Sequence, residues 1–194
     1  MQPPGICYHL CVDMQRMFAE DTPWRIDWMA RVRQPVLRLA SARPEWTILS
    51  RFVPPKDPAD APGMWRPYFE KWSTMTRTAL GEEMIDILPE LKSLVPPAIV
   101  FDKPIYSPWL DGRLHRFLQD RRAETLVISG GETDVCVLAA VLGAVDLGYR
   151  VILVKDAICS ASDETHDDSL ELFARRFSVQ LSLMDTDDVL AWWS

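Results

Sequence analysis

The 194-residue chain carries 21 Lys and Arg against 28 Asp and Glu, a formal charge of -7 at neutral pH, and has a pI near 5.0. That balance excludes a nucleic-acid surface, which needs clustered basic side chains, whereas Arg is scattered here; the length suits one buried core, expected as a single domain over 1–194. No apolar stretch is long enough to span a bilayer, and Met1-Gln2-Pro3-Pro4-Gly5 lacks the basic-then-apolar order of a secretory signal, so a cytoplasmic chain with four reduced cysteines is expected.

Ile6 to Asp13 is apolar and ends in a carboxylate, the pattern of a central parallel strand with an acid at its carboxyl end. Cys7 and Cys11 lie on one face of that strand, too far apart for a disulfide and without metal-site neighbours, and read as core filling. Asp27 to Ala42 has helical apolar spacing, with Pro35 expected to bend or split it. Trp46 to Val53 is the second predicted strand. Pro54 to Pro67 holds five prolines and reads as a long loop without regular structure, the start of a Pro-rich insertion at about 54–80.

Thr74 to Leu94 reads as short helical pieces before Pro96-Pro97. Ala98 to Phe101 is the third strand, delivering Asp102 and Lys103 to its end. Leu110 to Arg122 is a predicted helix. Thr125 to Ser129, Arg150 to Val154 and Val179 to Met184 are strands four to six, separated by helices at Asp134 to Leu147 and Asp163 to Arg176. Asp187 to Trp193 reads as a last helical turn or two. Repeated strand-helix-strand units predict a three-layer, doubly wound α/β/α fold, Rossmann-like, on a six-stranded parallel sheet. Its ligand site belongs outside the carboxyl ends of the strands, where Asp13, Lys103 and the turn at Gly130 to Cys136 all fall. Gly130-Gly131 lacks the spacing of a dinucleotide fingerprint, so no Rossmann cofactor is expected.

The turn Ser129-Gly130-Gly131-Glu132-Thr133-Asp134-Val135-Cys136-Val137 holds the candidate nucleophile. Thr133 reads as an N-cap, which puts Cys136 at the third helical position, where free N–H groups and the helix dipole favour a thiolate. The alternative for Cys136 is a small buried hydrophobe.

Four segments together resemble the isochorismatase-like cysteine hydrolases, the superfamily that includes nicotinamidases and N-carbamoylsarcosine amidase. They are Cys11-Val12-Asp13-Met14-Gln15, Asp102-Lys103, Gly130 to Val137, and Ala144-Val145-Asp146-Leu147-Gly148-Tyr149-Arg150-Val151. The resemblance implies a catalytic triad of Asp13, Lys103 and Cys136, a cis peptide between Gly131 and Glu132, and an oxyanion hole from the backbone N–H groups of Glu132 and Cys136. It implies hydrolysis of a C–N bond in a small amide, ureido or carbamoyl substrate through a thioester, with relatives commonly homodimers or homotetramers. The nicotinamidase branch binds a metal through an Asp and two His after the second strand. Ser50 to Asp57 contains no histidine, so no metal or other cofactor is expected, and His9, His115 and His166 read as surface or structural residues.

Aromatic residues gather around the expected pocket mouth: Phe18, Trp24, Phe52 and Trp65, then Tyr68, Phe69, Trp72, Tyr106 and Trp109. Of these Phe18, Trp65 and Trp109 are expected as pocket walls. Arg51 is expected either to bind a substrate carboxylate or to pair with a pocket acid. Glu132 is expected either to contact an amine or guanidine on the substrate or to pair with a nearby Arg, with the balance slightly toward the ion pair. The alternative function is a catalytically silent member used for ligand binding or assembly; isochorismatase and nicotinamidase activities are less favoured.

Overall fold

Six strands of the computed structural model form one all-parallel sheet in the order β3-β2-β1-β4-β5-β6. They are β1 (Ile6–Val12), β2 (Thr47–Phe52), β3 (Ile99–Lys103), β4 (Ala123–Gly131), β5 (Arg150–Cys159) and β6 (Leu181–Met184). The structure describes residues 5–193; Met1 to Pro4, on which the secretory-signal reading falls, and Ser194 lie outside them. Strand order reverses between β1 and β4, the switch point at which doubly wound sheets open a crevice for ligands.

Among the described residues, the helices of seven residues or more are α1 (Met29–Ala42), α2 (Trp65–Lys71), α3 (Arg113–Asp120), α4 (Leu138–Asp146), α5 (Asp163–Arg176) and α6 (Thr186–Trp193). Because strand side chains alternate, both faces of the sheet are apolar and each needs a cover. Cys11, Leu49, Val127 and Ile152 pack in one core with α1 and α6, through Val32, Val36, Leu39 and Trp193. Leu10, Ile48, Leu126 and Leu153 pack in the other with α3, α4 and α5, through Leu118, Val141 and Phe173. These two cores are the three-layer arrangement expected.

Several boundaries differ from the sequence reading. Pro35 does not break α1, because the buried stripe of Val32, Val36, Leu39 and Ala40 anchors the helix on both sides of the missing N–H. Pro54 to Pro67 is not wholly irregular: Pro58–Asp60 forms a 3-10 turn, and α2 starts at Trp65. Pro67 lies in the first turn of α2, where its missing N–H has no helical partner to lose. β5 runs on from Val154 to Cys159 across an irregularity in its pairing with β4, and Asp156 there accepts bonds from the N–H and hydroxyl of Thr186, capping α6. Asp13 itself lies just past β1, with φ 48.

Candidate active site

Three strand ends converge at the switch point. Asp13 follows β1, Lys103 closes β3, and Cys136 lies in the turn after β4. The Lys103 Nζ donates to Asp13 Oδ2 at 2.6 Å and to the Ile105 carbonyl at 3.1 Å, and stands 3.6 Å from Cys136 Sγ. The other Asp13 oxygen, Oδ1, accepts the Ser50 hydroxyl at 2.7 Å, and the Asp13 N–H reaches back to the Ser50 carbonyl at 3.2 Å. Asp13 and Lys103 are 1% and 4% exposed, so this ion pair is held out of water.

The electrostatics follow from that burial. By itself burial would lower the Lys103 ammonium, but the charges of Asp13 and Cys136 more than offset it and hold its pKa above the ordinary value. Burial drives the Cys136 thiol well above its usual range; Lys103 pulls it down and Asp13 pushes it further up. Burial thus works against the thiolate expected from a helix N-terminus. Burial outweighs the helix contribution because the sulfur is desolvated beside a carboxylate.

The turn that presents the sulfur also differs from expectation. Thr133 is not the N-cap: its hydroxyl pairs with His166 Nδ1 at 2.8 Å, and Glu132 takes the capping place. Thr133–Val137 forms a π turn in which the Val137 N–H reaches the Glu132 carbonyl at 2.9 Å, and α4 continues from Leu138. The Gly131–Glu132 peptide is cis. Gly130 has φ +108, and a Cβ built on it would stand 2.0 Å from the Val12 carbonyl oxygen. Only glycine lets β4 pass so close to the end of β1.

Cys136 opens into a cavity of about 260 Å³. Its walls are largely aromatic, with Phe18, Trp24, Phe52, Tyr68, Trp72 and Tyr106, and Glu132 also lines it. Trp24 is the hub of the wall, stacked on Phe18 at 6.2 Å between centroids and tilted or edge-on to Phe52, Tyr68 and Trp72. Cavities of this kind, small, apolar and with a few convergent polar groups, are the usual form of a small-molecule site.

A family model described as the isochorismatase domain matches residues 7–185. The chain belongs to the isochorismatase family. An uncharacterized isochorismatase family protein of Bacillus subtilis (strain 168) is 30% identical over 87 residues, which is 45% of this chain and 48% of that protein, so the match spans about half of the curated relative. A cysteine hydrolase from Pseudomonas syringae pv. phaseolicola 1448A has the same fold, with a TM-score of 0.83 at 21% identity over 98% of this chain and 97% of that one. N-carbamoylsarcosine amidase from Thermoplasma acidophilum superposes with a TM-score of 0.75 at 19% identity, over 94% and 98% of the two chains.

Within this isochorismatase-family fold the remaining candidate residues separate. Phe18 and Glu132 line the cavity. Trp65 does not: it packs behind Tyr106 at 4.8 Å and faces a neighbouring groove with Pro54, Pro62 and Leu110. Trp109 is also absent from the cavity, because its Nε1 donates to the Ala140 carbonyl at 2.9 Å and its ring stacks on Tyr149 over Gly143. Arg51 is engaged by both oxygens of Asp102, at 2.7 and 2.8 Å, with Asp86 beyond, so it is not turned to a ligand. Glu132 finds no Arg partner among the described residues. The Arg51 fork lies within β2, beside Asp102 of β3. No cluster of three His, Cys, Asp or Glu side chains positioned for a metal occurs among the described residues.

Sequence reasoning missed two supports. Ser50 orients Asp13, and buried Gln15 ties the loop after β1 to β2 by accepting from the Phe52 N–H at 2.7 Å and donating to the Phe52 carbonyl at 2.9 Å. A polar residue at the carboxyl end of an otherwise apolar strand was the available signal for Ser50. For Gln15 the signal was its place in the segment Cys11 to Gln15, since by position alone a glutamine past a strand end is ordinarily solvated.

Proposed function

We propose that the protein is a cysteine hydrolase that cleaves a C–N bond in a small amide, ureido or carbamoyl compound. The observation that supports it is the buried contact of Asp13, Lys103 and Cys136, with Cys136 lining the aromatic cavity. Asp13 takes the thiol proton as the Cys136 sulfur bonds to the substrate carbonyl carbon, and the carbonyl electrons move onto oxygen. The N–H groups of Glu132 and Cys136 are the proposed donors to that oxyanion. Collapse breaks the C–N bond, Asp13 returns its proton to the leaving nitrogen, and a thioester remains. Water then attacks the thioester, giving its proton to Asp13, and the sulfur leaves and is reprotonated. Lys103 keeps its charge throughout, steadying whichever of its two partners is anionic.

The raised thiol gives this order a reason: a protonated resting sulfur needs a base in contact with it, and Asp13 is that base. The names of the cysteine hydrolase and the amidase that share the fold are in keeping with this chemistry. The test is an ammonia-release screen over primary amides, ureido acids and carbamoyl compounds, run for the wild type and Cys136→Ala, with intact mass measured during turnover. A substrate-derived mass increase on the wild type and none on the variant is the expected result. Turnover that survives in Cys136→Ala would overturn the proposal.

A further inference from the structure

The cavity is short of positive charge. Glu132 lines it, and Asp134 stands close enough to raise its pKa, yet neither carboxylate forms an ion pair among the described residues. Asp134 spends its oxygens on the hydroxyls of Ser160 and Thr165, both at 2.5 Å. Lys103 is committed to Asp13. Arg25 stands at the cavity rim but pairs with Asp27 at 3.1 Å. The other titratable groups that feel Glu132 are Cys136, Cys159, Tyr68 and Tyr106, and none of them brings a cation. Glu132 thus stands in a pocket walled by aromatic rings with a backbone bond from Ala161 and no ion-pair partner among the described residues, the rim Arg25 being drawn to Asp27.

We propose that Glu132 selects the substrate, and that the pocket takes amides whose skeleton also bears a cationic nitrogen, an ammonium or a guanidinium, held between that carboxylate and the aromatic faces. This rests on the cysteine-hydrolase reading for the amide and on the cavity alone for the cation. Burying an unpaired carboxylate is unfavourable, and a cation arriving with the substrate removes the penalty. Ring faces add their own attraction for a desolvated cation. Burial first, then the charge of Asp134, raises the Glu132 carboxyl to about 7, with a bond from the Ala161 backbone opposing and Asp13 adding to the rise. An ammonium bound beside it favours the ionised form, so binding at neutral pH releases protons.

The test uses full-length Cys136→Ala protein, which binds without turnover, with benzylammonium, benzyl alcohol and benzoate compared by calorimetry. Benzylammonium is expected to bind about tenfold or more tightly than benzyl alcohol, with benzoate weakest. The preference should strengthen from pH 6 to pH 8, with proton release seen as a dependence on buffer ionisation enthalpy. Adding Glu132→Gln should remove the preference of benzylammonium over benzyl alcohol and the proton release, and Glu132→Asp should keep much of both. Unchanged melting temperatures certify that these variants fold. Equal binding of benzylammonium and benzyl alcohol, no detectable benzylammonium binding, or a preference that survives Glu132→Gln would overturn the inference. Because the readout is binding, it can fail while ammonia release persists, or succeed while the hydrolase reading fails.

Discussion

Lys103 Nζ and Asp13 Oδ2 lie 2.6 Å apart with side chains 5% and 1% exposed, so neither charge can be removed without stranding the other. Lys103→Met and Asp13→Asn are each expected to lose about 3–5 kcal/mol of stability, because a buried charge is left uncompensated. Each should also lower turnover by about a hundredfold or more. The double variant, with neither charge, should recover much of the stability and none of the activity. Denaturant unfolding of the four proteins beside their turnover decides this. A double variant no more stable than the singles would contradict the account.

His9 makes acid stability depend on a residue far from the chemistry. Its ring is fully buried, 2.8 Å from the Ser129 hydroxyl and 3.4 Å from that of Thr47, and burial lowers its pKa from 6.5 to about 3. In the unfolded chain the same ring titrates near its ordinary value, so below about pH 6.5 the unfolded state binds a proton that the folded state refuses. The contribution is complete above that pH and is lost as pH falls toward 3. Between about pH 5.5 and 4 the slope from this group approaches about 1.4 kcal/mol per unit, and His9→Gln should flatten it. Equal slopes in the two proteins would show that His9 is not the cause.

Trp24 and Trp109 should behave as different kinds of residue. Trp24→Ala removes the hub of the cavity wall and is expected to raise KM about tenfold or more. Trp109→Ala removes a ring packed on Tyr149 and Gly143, and is expected to cost about 3 kcal/mol of stability with KM nearly unchanged. Steady-state kinetics and thermal unfolding on both variants separate the roles. A KM effect of equal size in Trp109→Ala would return it to the pocket.

Gly130→Ala should be severe. The new methyl would stand 2.0 Å from the Val12 carbonyl oxygen, backbone that cannot swing aside, at a φ of +108 that side chains avoid. Gly131→Ala meets only the Cys159 sulfur at 3.2 Å and should be milder. Expression and melting temperature of the pair test this, and a soluble Gly130→Ala with wild-type stability would contradict it.

The sheet was legible because its strands are apolar on both faces and its helices keep a 3.6-residue period. Asp13, Lys103 and Cys136 were legible because each ends or follows such a strand, and strand ends in this topology meet. The cavity walls were not, because they depend on how far each loop folds back. Trp65 comes after β2 and Trp109 shortly after Lys103 in sequence, yet one lies behind Tyr106 and the other turns onto α4. The burial of Cys136 was not legible for a related reason: a helix start can be seen in a sequence, whereas the depth at which the sulfur is buried cannot.

The π turn at Thr133–Val137 adds one residue to the first winding of its helix, since Val137 reaches five residues back to Glu132. Successive residues of a helix are about 100° apart around its axis, so deleting Val135 would let the winding relax to ordinary α geometry while swinging the Cys136 sulfur by about that angle, away from Lys103. Loss of a single residue would thus keep a helix there while changing where its sulfur points. The helix and the aim of its sulfur are, in this sense, separately encoded.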